Sequence, residues 1–290
     1  MLNIKCKLLV ATFMALGAAS SNAELISINY ASPTGQSGEF KAEVNGPNES
    51  NQKNKAVVIL HHAGGYRMGT TAIYRELFLK SGYVTIEPVM FDKQPLNRRT
   101  DYFIPYAFAS LKYLAERTDV DAKDISVIGL SYGGALAVYS ATKWANDTYN
   151  NSGTSFKKYA SLYPVCWPME HFMRGTLAGK FKPLMSAYPT DMFNTWQNSP
   201  MKLYKGSKDD YDSQDSKVCD NFVDAIPSKE QREQTKVELI NGATHGWDHG
   251  KTYSFYTSLA NHGSGGMNVN ESNKDVTEFV KQDLVKFISE

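Results

Sequence analysis

Gly129-Leu130-Ser131-Tyr132-Gly133-Gly134 is the stretch that most constrains what this chain can fold into. It follows the mainly apolar run Ile125-Ser126-Val127-Ile128 and precedes Ala135-Leu136-Ala137-Val138. The first run reads as a strand covered on both faces, the second as the start of a helix. A serine flanked by glycines two residues to either side fits a strand-to-helix turn too sharp for flanking side chains. Such a turn exposes the Ser131 hydroxyl at the carboxyl edge of a parallel sheet, above a helix N-terminus that favours negative charge.

The rest of the chain supports such a sheet. Ala56–Leu60 (AVVIL) is another continuous apolar run, and Val84–Ile86, Tyr159–Tyr163, Met201–Tyr204 and Val237–Ile240 are weaker ones. Between them, Phe103, Tyr106, Ala107, Ser110, Leu111 and Leu114 keep helical spacing, as do Val276, Phe279, Val280, Leu284, Phe287 and Ile288. The alternation from about Ala56 onward predicts an α/β fold with a mainly parallel central sheet and helices on both faces. Residues 43–55 read as an exposed loop. Two long irregular stretches follow, residues 165–199 and 241–273. The first is rich in aromatics and methionines and is expected to hold short helices as a lid or cap over a pocket.

The amino terminus reads as a removable leader. Lys5 and Lys7 precede the apolar run Leu8–Ala19, and Ser21-Asn22-Ala23 offers a cleavage site, which leaves one domain over residues 24–290. The run is shorter than the roughly 20 residues that span a bilayer, so export without a membrane anchor is expected. Loss of Lys5 and Lys7 leaves 29 basic against 30 acidic residues, well mixed along the chain. That balance argues against a nucleic-acid partner. Cys6 departs with the leader, and the remaining pair, Cys166 and Cys219, is expected to bridge in an oxidising compartment. Their spacing fits no zinc motif.

The other parts of a nucleophilic site occur at the ends of further strands. His61-His62-Ala63-Gly64-Gly65 follows AVVIL and offers the Ala63 amide as one oxyanion donor, with the Tyr132 amide as the other. His61 and His62 themselves are expected to shape that loop by hydrogen bonds. Leu239 to Asp248 (LINGATHGWD) carries His245 as the candidate base, preferred over His249, His171 and His262. In Leu203 to Asp210 (LYKGSKDD), Asp209 is the first choice for the orienting acid, with Asp210 and Asp212 as alternatives. Tyr66, Trp167 and Trp247 are candidate substrate-binding walls beside these motifs. No metal and no organic cofactor is required by this set.

Taken together, HHAGG, GLSYGG, GSKDD and NGATHGWD resemble the dienelactone hydrolase family of the α/β-hydrolase superfamily, over most of residues 56–290. The resemblance implies that fold and favours Asp209 over its neighbours. Some members similarly carry a cysteine in a Tyr-Pro-x-Cys segment and another after the acid, as at Cys166 and Cys219. The family's namesakes use cysteine where this chain has Ser131, which moves the expectation towards a serine esterase acting on small-molecule carboxylic esters or lactones. The other readings are an exported peptidase of prolyl-oligopeptidase type, for which the chain lacks a propeller, a thioesterase, and a non-catalytic binding module on a hydrolase fold.

Overall fold

The computed structural model describes residues 23–46, 53–91 and 99–290, so the expected leader lies outside the described residues except for Ala23. Eight strands form one sheet: β1 (Glu24–Ala31), β2 (Ser37–Asn45), β3 (Asn54–Leu60), β4 (Val84–Pro88), β5 (Val120–Leu130), β6 (Tyr159–Leu162), β7 (Met201–Gly206) and β8 (Thr235–Ile240). Their order is β1-β2-β4-β3-β5-β6-β7-β8. The six strands from β4 to β8 in that order run parallel, while β1 and β2 are antiparallel additions at one edge. A separate hairpin pairs β9 (Tyr253–Thr257) with β10 (Gly266–Asn270).

The continuous apolar runs follow from burial on both faces. Along β3, Val57 and Ile59 pack with Tyr74 and Phe78 of the helix Ala72–Lys80 and with Val280, Leu284 and Ile288 of the terminal helix Lys274–Ser289. Ala56, Val58 and Leu60 point the other way, into a core shared with the helices Ile104–Ala115 and Tyr132–Ser140. Successive strand side chains alternate faces, so a strand between two helical layers needs an apolar residue at every position. Phe279, expected on the buried stripe, is instead 47% exposed. The terminal helix buries the i, i+4, i+8 line of Val280, Leu284 and Ile288, with Val276, Val285 and Phe287 packed beside it, and Phe279 lies off that face.

Two expected irregular stretches prove partly regular. Glu43–Asn45 close β2 and Asn54–Lys55 open β3, so the supposed loop over residues 43–55 is strand at both ends. In β2, Phe40, Ala42 and Val44 are buried while Glu39 and Lys41 face solvent, a period-two pattern that pairs with β4. Within residues 241–273 lies the β9–β10 hairpin, whose aromatic strand Tyr253-Ser254-Phe255-Tyr256-Thr257 has strong strand propensity. Residues 165–199 hold the helix Cys166–Met173 and two shorter turns, Gly179–Phe181 and Lys182–Met185.

Cys166 and Cys219 form a disulfide, joining the helix Cys166–Met173 to the helix Val218–Ala225 across 53 residues of sequence. Both are fully buried. Closing a loop of that length restricts the unfolded chain by about 4 kcal/mol on the loop-entropy scale. The double variant Cys166→Ala/Cys219→Ala is therefore expected to lose stability on that order, read as a lower denaturant midpoint. Reductant should move the midpoint of the wild type and leave that of the variant unchanged.

Candidate active site

Ser131 lies between β5 and the helix Tyr132–Ser140 at φ 51° and ψ −111°, a backbone conformation that a residue with a side chain rarely adopts. The surroundings over-determine it. The Ser131 N–H donates to the Leu162 carbonyl at 2.9 Å, and the Ala135 N–H donates back to the Ser131 carbonyl at 2.9 Å. The flanking glycines are required by close approach. A Cβ on Gly129 would lie 2.0 Å from the Gly133 carbonyl oxygen, and one on Gly133 would lie 2.0 Å from that of Leu60. That second approach also brings the end of β3, and with it the His61–Ala63 loop, against the start of the helix that carries Tyr132.

The loops after three different parallel strands meet at this edge. The Ser131 Oγ lies 2.8 Å from His245 Nε2, and His245 Nδ1 lies 2.8 Å from Asp209 Oδ2. Asp209 is fully buried and its other oxygen accepts the Tyr211 N–H at 3.0 Å. Burial works to raise the Asp209 carboxyl, but the charges of His245 and Lys205 and hydrogen bonds from His245 and Tyr211 outweigh it and hold it at about 2. An ionised Asp209 keeps the proton of a neutral His245 on Nδ1, which leaves Nε2 free to accept from the serine hydroxyl. Asp210 and Asp212 do not reach the imidazole. Asp210 accepts the Val269 N–H of β10 at 2.8 Å, and Asp212 accepts the amides of Cys166 and Trp167 at 3.1 Å each.

His61 and His62 build the loop beside the serine. His61 Nε2 accepts the Met90 N–H at 2.9 Å, and its Nδ1 bonds to the His62 carbonyl at 2.9 Å. His62 Nδ1 accepts the Gly64 N–H at 2.8 Å while its Nε2 meets the Thr70 hydroxyl at 2.9 Å. Burial lowers both rings to about 4, so at neutral pH each is an uncharged bracket with a fixed tautomer. His249, lowered by burial to about 3, bonds to the Tyr253 hydroxyl at 2.7 Å. Beneath His245, Asp248 accepts from Tyr74 at 2.6 Å and from Tyr163 at 2.8 Å, and burial raises it to about 6 despite those bonds.

Ser131, His245, Ala63 and Tyr132 open together into a cavity of about 670 Å³. Its lining includes the apolar residues Ala135, Tyr139, Phe181, Leu184 and Met185, together with Tyr211 and the hairpin residues Tyr253 and Phe255. The expected cap segment thus contributes Phe181, Leu184 and Met185. The three aromatics expected to line the pocket do not. Trp247 is fully buried, edge-on to Tyr163 at 4.8 Å, and serves the core beneath the His245 loop. Trp167 stacks on His262 at 5.0 Å and lies behind Phe181 at 5.8 Å, leaving the wall to Phe181. Tyr66 lies in the turn Tyr66–Met68, from which Met68 faces the cavity instead.

The dienelactone hydrolase family model matches residues 40–154. Among solved structures, a putative dienelactone hydrolase from Klebsiella pneumoniae aligns with 92% of this chain and 99% of its own, at TM-score 0.58 and 14% identity. Thermogutta terrifontis esterase 2, phosphoramylated by tabun, aligns over 95% of this chain and 96% of its own, at TM-score 0.62 and 14% identity. A dienelactone hydrolase-like promiscuous phosphotriesterase from metagenomic libraries covers 92% and 98%, at TM-score 0.60 and 13% identity. No curated protein is a significant match to the chain. The strand order, the helical layers and these alignments give the chain the α/β-hydrolase fold, and its residues 40–154 match the dienelactone hydrolase family model.

Proposed function

We propose that the protein is an exported serine hydrolase that cleaves carboxylic esters or lactones through an acyl-enzyme, with Ser131, His245 and Asp209 as its triad. The reading is carried by the unbroken chain from Ser131 Oγ through His245 to Asp209, 2.8 Å at each link, opening into a largely apolar cavity. His245 Nε2 takes the hydroxyl proton as Ser131 Oγ attacks the ester carbonyl. The amides of Ala63 and Tyr132 receive the oxyanion, the second of them at the positive end of a helix. His245 then gives the proton to the leaving alkoxide, and water releases the acyl group by the same route.

Export is supported by the leader-like first 23 residues and by the buried disulfide, and no helix among the described residues is long and apolar enough to cross a membrane. Residues 24–290 are read as one hydrolase domain, with residues 165–199 as a cap that supplies the apolar wall. A panel of p-nitrophenyl esters of increasing acyl length, extended to lactones, tests the activity. Turnover should accompany one fluorophosphonate adduct per chain on the peptide containing Ser131. Absence of both turnover and adduct would overturn the reading.

A further inference from the structure

A triad needs one acid, yet a second carboxylate and a lysine are sealed beside Asp209. Lys205 on β7, Asp209 and Asp212 all have side chains with no exposed surface. Lys205 Nζ lies 3.5 Å from Asp209 Oδ2, the oxygen that also meets His245, and 3.0 Å from Asp212 Oδ2. Asp212 is in turn anchored by the amides of Cys166 and Trp167, at the start of the helix held by the disulfide. Removing a lysine and two carboxylates from water is costly, and apolar residues of similar volume would pack a strand end at less cost. Stability alone therefore gives no reason for the pair.

We propose that Lys205 and Asp212 are positioning residues that fix both the orientation and the net charge of the acid facing His245, and so set the pH at which the base becomes available. This rests on the triad reading above. Asp209, Asp212 and Lys205 together carry one negative charge, which an imidazolium at His245 would neutralise. Without the Asp212 charge the cluster is neutral, the imidazolium is held less well, and the base is freed at lower pH. Without Lys205 the cluster carries two negative charges, and the imidazolium persists to higher pH. The other groups facing His245 are Ser131 and the rings of Tyr163 and Tyr211, with His62, His249 and Asp248 close enough to act through their charge. These are common to every variant below, Asp248 included, so their own titration does not produce shifts of opposite sign.

The test is the pH dependence of kcat/KM for p-nitrophenyl acetate in wild type, Asp212→Asn, Lys205→Met and the double variant. Asp212→Asn retains a carbonyl acceptor for one helix amide and should move the acid limb down by on the order of one pH unit. Lys205→Met should move it up, and the double variant, again with one negative charge, should return it close to the wild-type position. Where Lys205→Met fails to fold, the downward shift in Asp212→Asn and its reversal in the double variant carry the test. A packing role would lower kcat or the melting temperature without signed shifts. Absent shifts, or shifts of one sign, beside an ordinary wild-type limb would overturn this proposal alone. A wild type with no acid limb would overturn the triad reading and this proposal with it.

Discussion

Ser131→Ala is expected to lower kcat/KM for every ester that the wild type turns over by at least about 10³-fold and to abolish fluorophosphonate labelling. The reason is the geometry of the turn. Ser131 Oγ is the hydroxyl that His245 Nε2 reaches, at 2.8 Å, in the cavity shared with Ala63 and Tyr132. The residual rate should come from the oxyanion donors and substrate binding, which the substitution leaves in place. Stability should change little, because alanine keeps the Cβ and the backbone contacts to Leu162 and Ala135 that hold the strained φ. Retention of more than a few per cent of wild-type activity would show that another nucleophile acts, and the assignment of the elbow serine would fall.

How much of this was legible in the sequence depends on whether a feature is local. The Ser131 turn, the Ala63 loop and the His245 turn each follow a strand and carry glycines, so their place at the sheet edge is written within a few residues. Gly129 illustrates this, since the contacts that exclude a side chain are made by backbone four and five residues away, whereas those at Gly133 come from the end of the adjoining β3. The cavity wall is different. Phe181 and Trp167 are equally plausible from composition, and only the tertiary placement of the turn Gly179–Phe181 beside Trp167 decides that Phe181 lines the cavity. The β9–β10 hairpin carries a strand signal in its aromatic run, but Tyr253 and Phe255 join the wall through tertiary placement. Asp212 reads from the sequence only as an alternative acid and Lys205 carries no signal of its own, since their pairing depends on the helix whose amides hold Asp212.

Asp209→Asn should cost about 10³–10⁴ in kcat while leaving KM and the fold nearly unchanged. The wild-type carboxylate accepts from His245 Nδ1 through one oxygen and from the Tyr211 amide through the other, so it fixes the imidazole's tautomer as well as its orientation. An asparagine can present its NH2 to Nδ1, which places the ring proton on Nε2 and blocks acceptance from Ser131. It also withdraws the negative charge that stabilises the imidazolium formed during attack. Two neighbouring carboxylates separate this effect from general damage to the turn. Asp210→Asn leaves one carbonyl oxygen where the Val269 amide and Gln214 each have their own, so it should loosen the hairpin and affect KM more than kcat. Asp212→Asn should keep most of kcat at high pH, since Asp212 touches the helix amides and Lys205 but not His245. Of the three carboxylates only Asp209 bonds to the imidazole, so among them only its substitution should remove catalysis at every pH. A near-wild-type Asp209→Asn alongside a crippled Asp210→Asn or Asp212→Asn would move the acid to that residue and require a His245 loop conformation different from the one described.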